Sequence, residues 1–523
     1  MLLFADRRQR PCEIGASIPN APAMHTLFRR AAFALLLAAP LAPEAQTADE
    51  LLAQIEPSVT EFTLDNGMTF IVVQRPEAPV VSFFTYADVG SVDEPFGQTG
   101  IAHMFEHMAF KGTTLLNTKD IAAELVALDA EEEAYLALRS AQASGAPEAE
   151  VETLEATFLE RRDAAKALVE EAEFDRLLEQ NGAVGLNAFT STDQTGYLYS
   201  LPANKLELWF ATESDRFLNP VLREFYVERD VVQEERRLRT ESQPFGRLRE
   251  EFTAAAYKAH PYGQPVVGHM SDLESITRTE ALAFFETYYA ASNLTAVLVG
   301  DVDPQEARAL AEQYFGPLPT RPKPSRITTV EPPQQAERRV NLYAQAQPAA
   351  FIGYHRPAGD HPDDPVFTVL SDILGRGRTS RLNQQLVETG DALAAIAQPT
   401  AGGTKYPGLF QVIVVPNQGV AVDSVEAMAY GVLDEIIASG VTEEELERAK
   451  TRATSDLVQQ LGSNSNLGLQ MAFAEVLLGD WRELFRGIED IQNVTAADVQ
   501  RVAAETFRRE NRTVATLRTA EDA

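Results

Sequence analysis

The sequence predicts an α+β protein of two homologous domains, each a mainly antiparallel sheet with helices packed on one face, plus an inserted helical hairpin. Three observations predict it. Short apolar strand patterns alternate with amphipathic helices. A proline-rich polar segment, residues 319–337, is followed by the same order of elements again. Between residues 119 and 180 an Ala-, Glu- and Leu-rich stretch carries few glycines or prolines, the mark of paired helices.

In chain order, a short helix at Ala48–Ile55 leads into two strands joined by the turn Asn66-Gly67. A third strand covers Val80–Gly90, and a glycine-containing loop delivers the chain into a helix at Ile101–Phe110. The hairpin follows, one helix ending near Ser144 and the next running from about Glu148 to Gln180. Its charge reads as a solvated face. Two strands, Val184–Phe189 and Gln194–Leu201, precede helices at Leu206–Leu218, about Val227–Phe252 and Arg278–Tyr289. The buried strand Asn293–Val302 and the helix Pro304–Phe315 close the first unit, residues 46–318. The second unit, residues 338–523, opens on two strands and a helix at Asp364–Leu374. Strands near Ala392–Pro399 and Leu409–Val415, two or three helices and a last strand at Thr513–Thr519 complete it.

At 523 residues the chain is too long for one small core, and 45% hydrophobic with 8% aromatic content fits a globular protein. A net charge of -32 argues against nucleic acid and anionic membranes as partners. No membrane span is expected in the body of the chain. Residues 1–45 read as a dubious extension plus a signal peptide starting at Met24: His25, Arg29 and Arg30 precede the apolar run Ala31–Ala39 and small residues to Ala45. Export to the periplasm is the expectation. The only cysteine, Cys12, lies before that signal, so the remainder can form no disulfide.

The chemistry is concentrated in IAHMFEHMAF, Ile101–Phe110, which holds His103, Glu106 and His107 in the pattern H-x-x-E-H. On a helix, positions i and i+4 share a face, so both imidazoles can reach one metal ion. Glu106 falls on that face and can take a proton from a water on the ion. Two histidines do not hold a catalytic zinc, which usually has three protein ligands and an open position. The segment Tyr226–Ser242 offers Glu228 and Glu235, two helical turns apart, with apolar Val231 and Val232 between them. One such carboxylate can ligate zinc and another can orient a histidine.

The blocks HMFEHMAFKGT (103–113), NAFTSTDQTGY (187–197), ERDVVQEE (228–235), HPYGQPVVG (260–268) and VLVGDVDP (297–304) resemble the pitrilysin family, which includes insulin-degrading enzyme and the mitochondrial processing peptidase. The resemblance covers nearly all of residues 46–523. It implies a processing-peptidase-like fold and a zinc metalloendopeptidase with one Zn2+ per chain. It makes His103, His107 and Glu235 the ligands, Glu106 the general base and Glu228 a supporting residue. Glu234 ranks behind Glu235, pointing about 100° away on the helix. The strand holding Asn187, Ala188 and Phe189 would bind peptide substrate by its edge. His107 and Glu235 are 128 positions apart, wider than the family commonly shows, and the hairpin accounts for the excess.

Family members that act alone carry an arginine and, seven residues on, a tyrosine in their later half. Here those places hold Glu388 and Ala395, neither able to donate to an oxyanion. The expected partner is therefore a homologous zinc-less subunit supplying that Arg/Tyr pair, with a homodimer as fallback. The alternatives are a non-catalytic scaffold subunit and a periplasmic zinc-binding module, neither of which would need Glu106.

Overall fold

The strands pair as the apolar patterns require, in two mixed sheets. The computed structural model describes residues 47–519, so the extension and signal segment lie outside the described residues. The first sheet contains β1 (Val59–Thr63), β2 (Thr69–Gln74), β3 (Val80–Ala87), β4 (Val184–Thr190), β5 (Thr195–Pro202) and β6 (Leu294–Gly300), in the order β1-β2-β6-β3-β5-β4. Only β2 and β6 run parallel. The second contains β7 (Arg338–Ala344), β8 (Ala349–His355), β9 (Ala392–Ala401), β10 (Leu409–Pro416) and β11 (Arg512–Thr519), in the order β7-β11-β8-β10-β9, again with one parallel pair, β7 and β11. Each sheet is thus mainly antiparallel. Among the described residues, β4 ends the first sheet with no strand paired on its outer side.

The helices of the first half are α1 (Ala48–Ile55), α2 (Ile101–Met108), α3 (Ile121–Ser144), α4 (Glu148–Lys166), α5 (Glu173–Gln180), α6 (Leu206–Leu218), α7 (Phe225–Arg236) and α8 (Pro244–Ala256), with further helices at Met270–Ser275, Arg278–Tyr288 and Pro304–Tyr314. Two long helices expected from sequence are broken. The one expected to Gln180 stops at Lys166, because the next residues bond back to the start of the hairpin: Lys119 N–H donates to Leu168 O and Glu170 N–H to Asn117 O. The one expected over Val227–Phe252 passes through a π-helical turn, Arg237–Glu241, and restarts at Pro244, whose ring cannot continue the ladder. In the second half five helices, not two or three, lie between β10 and β11. Their apolar stripes are short, and capping threonines at Thr442 and Thr495 divide what reads as longer helices.

Each sheet carries its own helices on one face. The first packs Phe62, Phe70, Val72, Phe83 and Tyr199 against Trp209, Phe210 and Phe315. The opposite faces are closed reciprocally. Ile71, Val73, Phe84 and Val297 of the first sheet bury against Leu467, Met471 and Ala472 on the helix Asn464–Leu478, and α8 lays Leu248, Phe252 and Ala256 on Phe351, Ala515 and Leu517 of the second sheet. A buried polar bridge joins the halves as well: Lys405 Nζ lies 2.5 Å from Asp88 Oδ1, and Asp193 accepts from Thr404 N–H at 2.6 Å and Tyr262 O–H at 2.5 Å. This exchange makes residues 47–519 part of one compact unit.

A glycine sits at each close approach. A Cβ on Gly468 would stand 2.2 Å from the Phe84 ring, and one on Gly353 would stand 2.5 Å from Phe252. Gly468→Val is expected to lower stability by about 1–3 kcal/mol through overpacking. Urea unfolding reads it, and an unchanged midpoint would show that the helix can slide without cost.

Candidate metal centre

The motif helix α2 is fixed at its start. Gly100 adopts φ 92°, and a Cβ there would stand 2.7 Å from Val267 O, so the entry turn requires glycine. Having no side chain, Gly100 cannot cap the helix; Glu94 does so from the preceding loop. Its carboxyl oxygens accept Gly100 N–H at 2.8 Å and Ala102 N–H at 2.9 Å, satisfying two of the first-turn donors. Ile101, Ala102, Met104 and Phe105 enter the core. That leaves His103, Glu106 and His107 on the opposite face.

The second element is α7. Phe225, Tyr226 and Val232 are buried, and Val231, expected to join them, is 45% exposed. The hairpin packs on this helix: Tyr226 O–H donates to Glu132 at 2.6 Å, and the Arg229 guanidinium stacks over Tyr135. With its apolar face held there, α7 turns Glu228 and Glu235 towards α2.

His103, His107 and Glu235 each offer one ligand atom, all within 4.8 Å of one another. Glu235 Oε2 lies 3.7 Å from His103 Nε2 and 3.4 Å from His107 Nε2. Donors about 2.0–2.1 Å from a tetrahedral zinc stand roughly 3.3 Å apart, so this spacing and the two-imidazole, one-carboxylate set both fit the ion. Glu106 Oε2 is 3.9 Å from His103 Nε2. Glu228 Oε2 meets His107 Nδ1 at 3.2 Å, and its Oε1 meets Lys111 Nζ at 2.6 Å. Lys111 also reaches Glu224 at 3.2 Å. Glu228 thereby turns the other ring nitrogen of His107, Nε2, towards Glu235.

The electrostatics follow from burial and these contacts. Burial pulls His103 down to about 4, leaving a neutral imidazole with a lone pair to give. Burial also acts against His107, but hydrogen bonds to Glu228 and Glu235 outweigh it and lift the ring to about 9. Burial raises Glu106 above the usual carboxylate range, offset in part by neighbouring Thr190. Glu228 and Glu235 are held below that range, the first by His107 and Lys111 against its burial, the second chiefly by His107.

The candidates therefore divide. His103, Glu106, His107, Glu228 and Glu235 converge, whereas Glu234 points outward and pairs with Arg237. Asn187, Ala188 and Phe189 lie on β4; Ala188 is buried, Phe189 packs edge-on against Tyr86 and Asn187 is exposed. His260 Nδ1 accepts Tyr262 N–H among aromatic rings, and His269 and His355 bond Gln264 and a backbone carbonyl. Glu388 pairs with Arg378, and Ala395 is buried in β9 opposite Val414. Sequence reasoning missed Glu94, Lys111 and the pairing of Glu235 with Arg239. Lys111 was in plain view as a cation four residues after His107; Glu94 was hidden by the loop between it and the helix.

The family model described as insulinase (peptidase family M16) matches residues 69–140 and 163–269, and that of the peptidase M16 inactive domain matches residues 275–453. The chain belongs to peptidase family M16. Among M16 relatives it is similar to "Zinc protease PqqE" of Helicobacter pylori, 28% identical over 464 residues, 86% of this chain and 91% of that one. It is also similar to "Probable mitochondrial-processing peptidase subunit beta" of Schizosaccharomyces pombe, 24% identical over 469 residues, 86% of this chain and 89% of that one. A solved protease from Helicobacter pylori shares the fold at a TM-score of 0.73 and 25% identity, covering 88% of this chain and 99% of that one.

Proposed function

We propose that this M16 protein is a zinc-dependent endopeptidase, the catalytic subunit of its enzyme, acting on peptides or unfolded segments. The observation that carries the reading is the meeting of His103, His107 and Glu235 with Glu106 beside them. These three residues would hold one zinc ion. When bound, the ion supplies a Lewis acid and brings the pKa of a coordinated water towards about 7. Glu106 accepts the proton from the attacking water and delivers it to the leaving amine nitrogen. Its upward-shifted carboxyl suits both directions of transfer. Glu228, held ionised by Lys111, keeps the His107 ring in one orientation.

The edge of β4 is proposed to take the substrate as an added strand, with main-chain bonds along Asn187, Ala188 and Phe189. The packing of Ala188 and Phe189 into the sheet supports recognition by backbone. Residues 46–318 and 338–523 are proposed as the two domains, joined by 319–337, and the segment from Met24 as an export signal. With Glu388 and Ala395 where a substrate-binding pair would stand, a homologous zinc-less subunit is proposed to complete the enzyme.

Removing metal with a chelator is expected to abolish cleavage of a quenched peptide, and one equivalent of zinc to restore it. Assay of the chain alone and then with the candidate partner reads the second proposal; full activity alone would remove the need for a partner. Failure of zinc to restore cleavage under both conditions would favour the scaffold reading instead.

A further inference from the structure

Glu235 has two oxygens, and only one faces the imidazoles. Oε2 is the atom near His103 and His107, while Oε1 is paired with Arg239 Nη1. Arg239 stands four residues on, in the π-helical turn Arg237–Glu241 that continues α7 without interruption. Such widened turns recur at functional sites, and this one brings Arg239 Nη1 to Glu235 Oε1. The neighbouring arginines are committed elsewhere: Arg236 binds Glu250 and the carbonyl of Gly268, and Arg237 binds Glu234.

The Arg239 side chain is 73% exposed, and exposed i,i+4 pairs add little to stability. Its position beside the candidate ligand needs another reason. A carboxylate can bind a metal through one oxygen or two. With Oε1 free, Glu235 could bring both oxygens onto the ion, raising its coordination to five beside the water and leaving no position open for a substrate carbonyl. We propose that Arg239 is a positioning residue that confines Glu235 to one-oxygen ligation and so keeps one coordination position free. The other anionic contact follows the same plan, since Lys111 engages Glu228 Oε1 and leaves Oε2 for His107.

This inference rests on the zinc-site reading, and cobalt(II) separates the two. Four-coordinate cobalt(II) absorbs strongly in the visible and higher coordination weakly. Wild-type protein loaded with cobalt is expected to absorb strongly. Arg239→Met is expected to keep one equivalent of metal, with affinity in chelator competition no weaker than wild type, yet to lose visible absorbance several-fold. Its kcat should fall about ten- to a hundredfold, the range for loss of a partner behind a ligand, with little change in KM. Arg239→Lys restores a donor and should recover much of both signals. An unchanged spectrum and kcat in Arg239→Met overturns the role of Arg239 alone, as does loss of metal from that variant. Wild-type protein that takes up no cobalt overturns the zinc-site reading with it.

Discussion

Glu106→Gln is expected to lower peptide cleavage by about a hundred- to ten-thousandfold while zinc content stays at one per chain. The amide keeps the size and hydrogen-bonding capacity of the side chain but cannot accept and return a proton. Glu106 is not among the three residues that offer ligand atoms, so its loss leaves the donor set intact. The variant therefore separates the proton-transfer role from metal binding. Zinc measured by elemental analysis beside kcat from a quenched peptide checks it. Cleavage within tenfold of wild type would assign the base elsewhere; loss of zinc would make Glu106 part of the donor set.

Helical periodicity is local, so the i, i+4 spacing put His103 and His107 on one face, and the i, i+7 spacing put Glu228 and Glu235 on another, before any tertiary contact is known. That Glu235 joins the histidines was legible only through the resemblance to the pitrilysin family. The two sheets were legible from the strand patterns and the restart after the proline-rich segment. What stayed hidden depends on approach between distant segments. Nothing in the apolar run of β3 says that Phe84 will meet Gly468, some 380 residues away. Nothing in Asp88 says that Lys405 will be buried beside it. The break at Lys166 also escaped, since helix propensity continues through it and bonds to the start of the hairpin stop it, whereas Pro244 stood in the sequence as a local reason for the second helix to restart. Glu94 and Arg239 were invisible for a related reason: their value lies in which atom of another residue they occupy.

The second large effect is expected from Arg223→Met. Arg223 and Glu124 form an ion pair in which both side chains are fully buried. Nε of Arg223 donates to Glu124 Oε1 at 2.6 Å, and its Nη atoms reach the carbonyls of Lys111, Thr113 and Leu116 at 2.6–2.8 Å. One guanidinium thus ties the hairpin helix α3 to the loop that leaves the motif helix. Replacing it leaves Glu124 charged and three carbonyls unmet in the interior. The cost of breaking a buried pair is about 3–5 kcal/mol, a large part of the roughly 5–15 kcal/mol that keeps a protein folded. Urea unfolding should show the midpoint falling sharply. Exchanging both partners for apolar residues, Arg223→Met with Glu124→Leu, removes the stranded charge and should recover part of that loss. The carbonyls of 111–116 would still lack their donor, so Lys111 would hold Glu228 less firmly and zinc should bind more weakly even in the stable double variant. Wild-type zinc affinity there would confine Arg223 to stability and separate the hairpin from the metal centre.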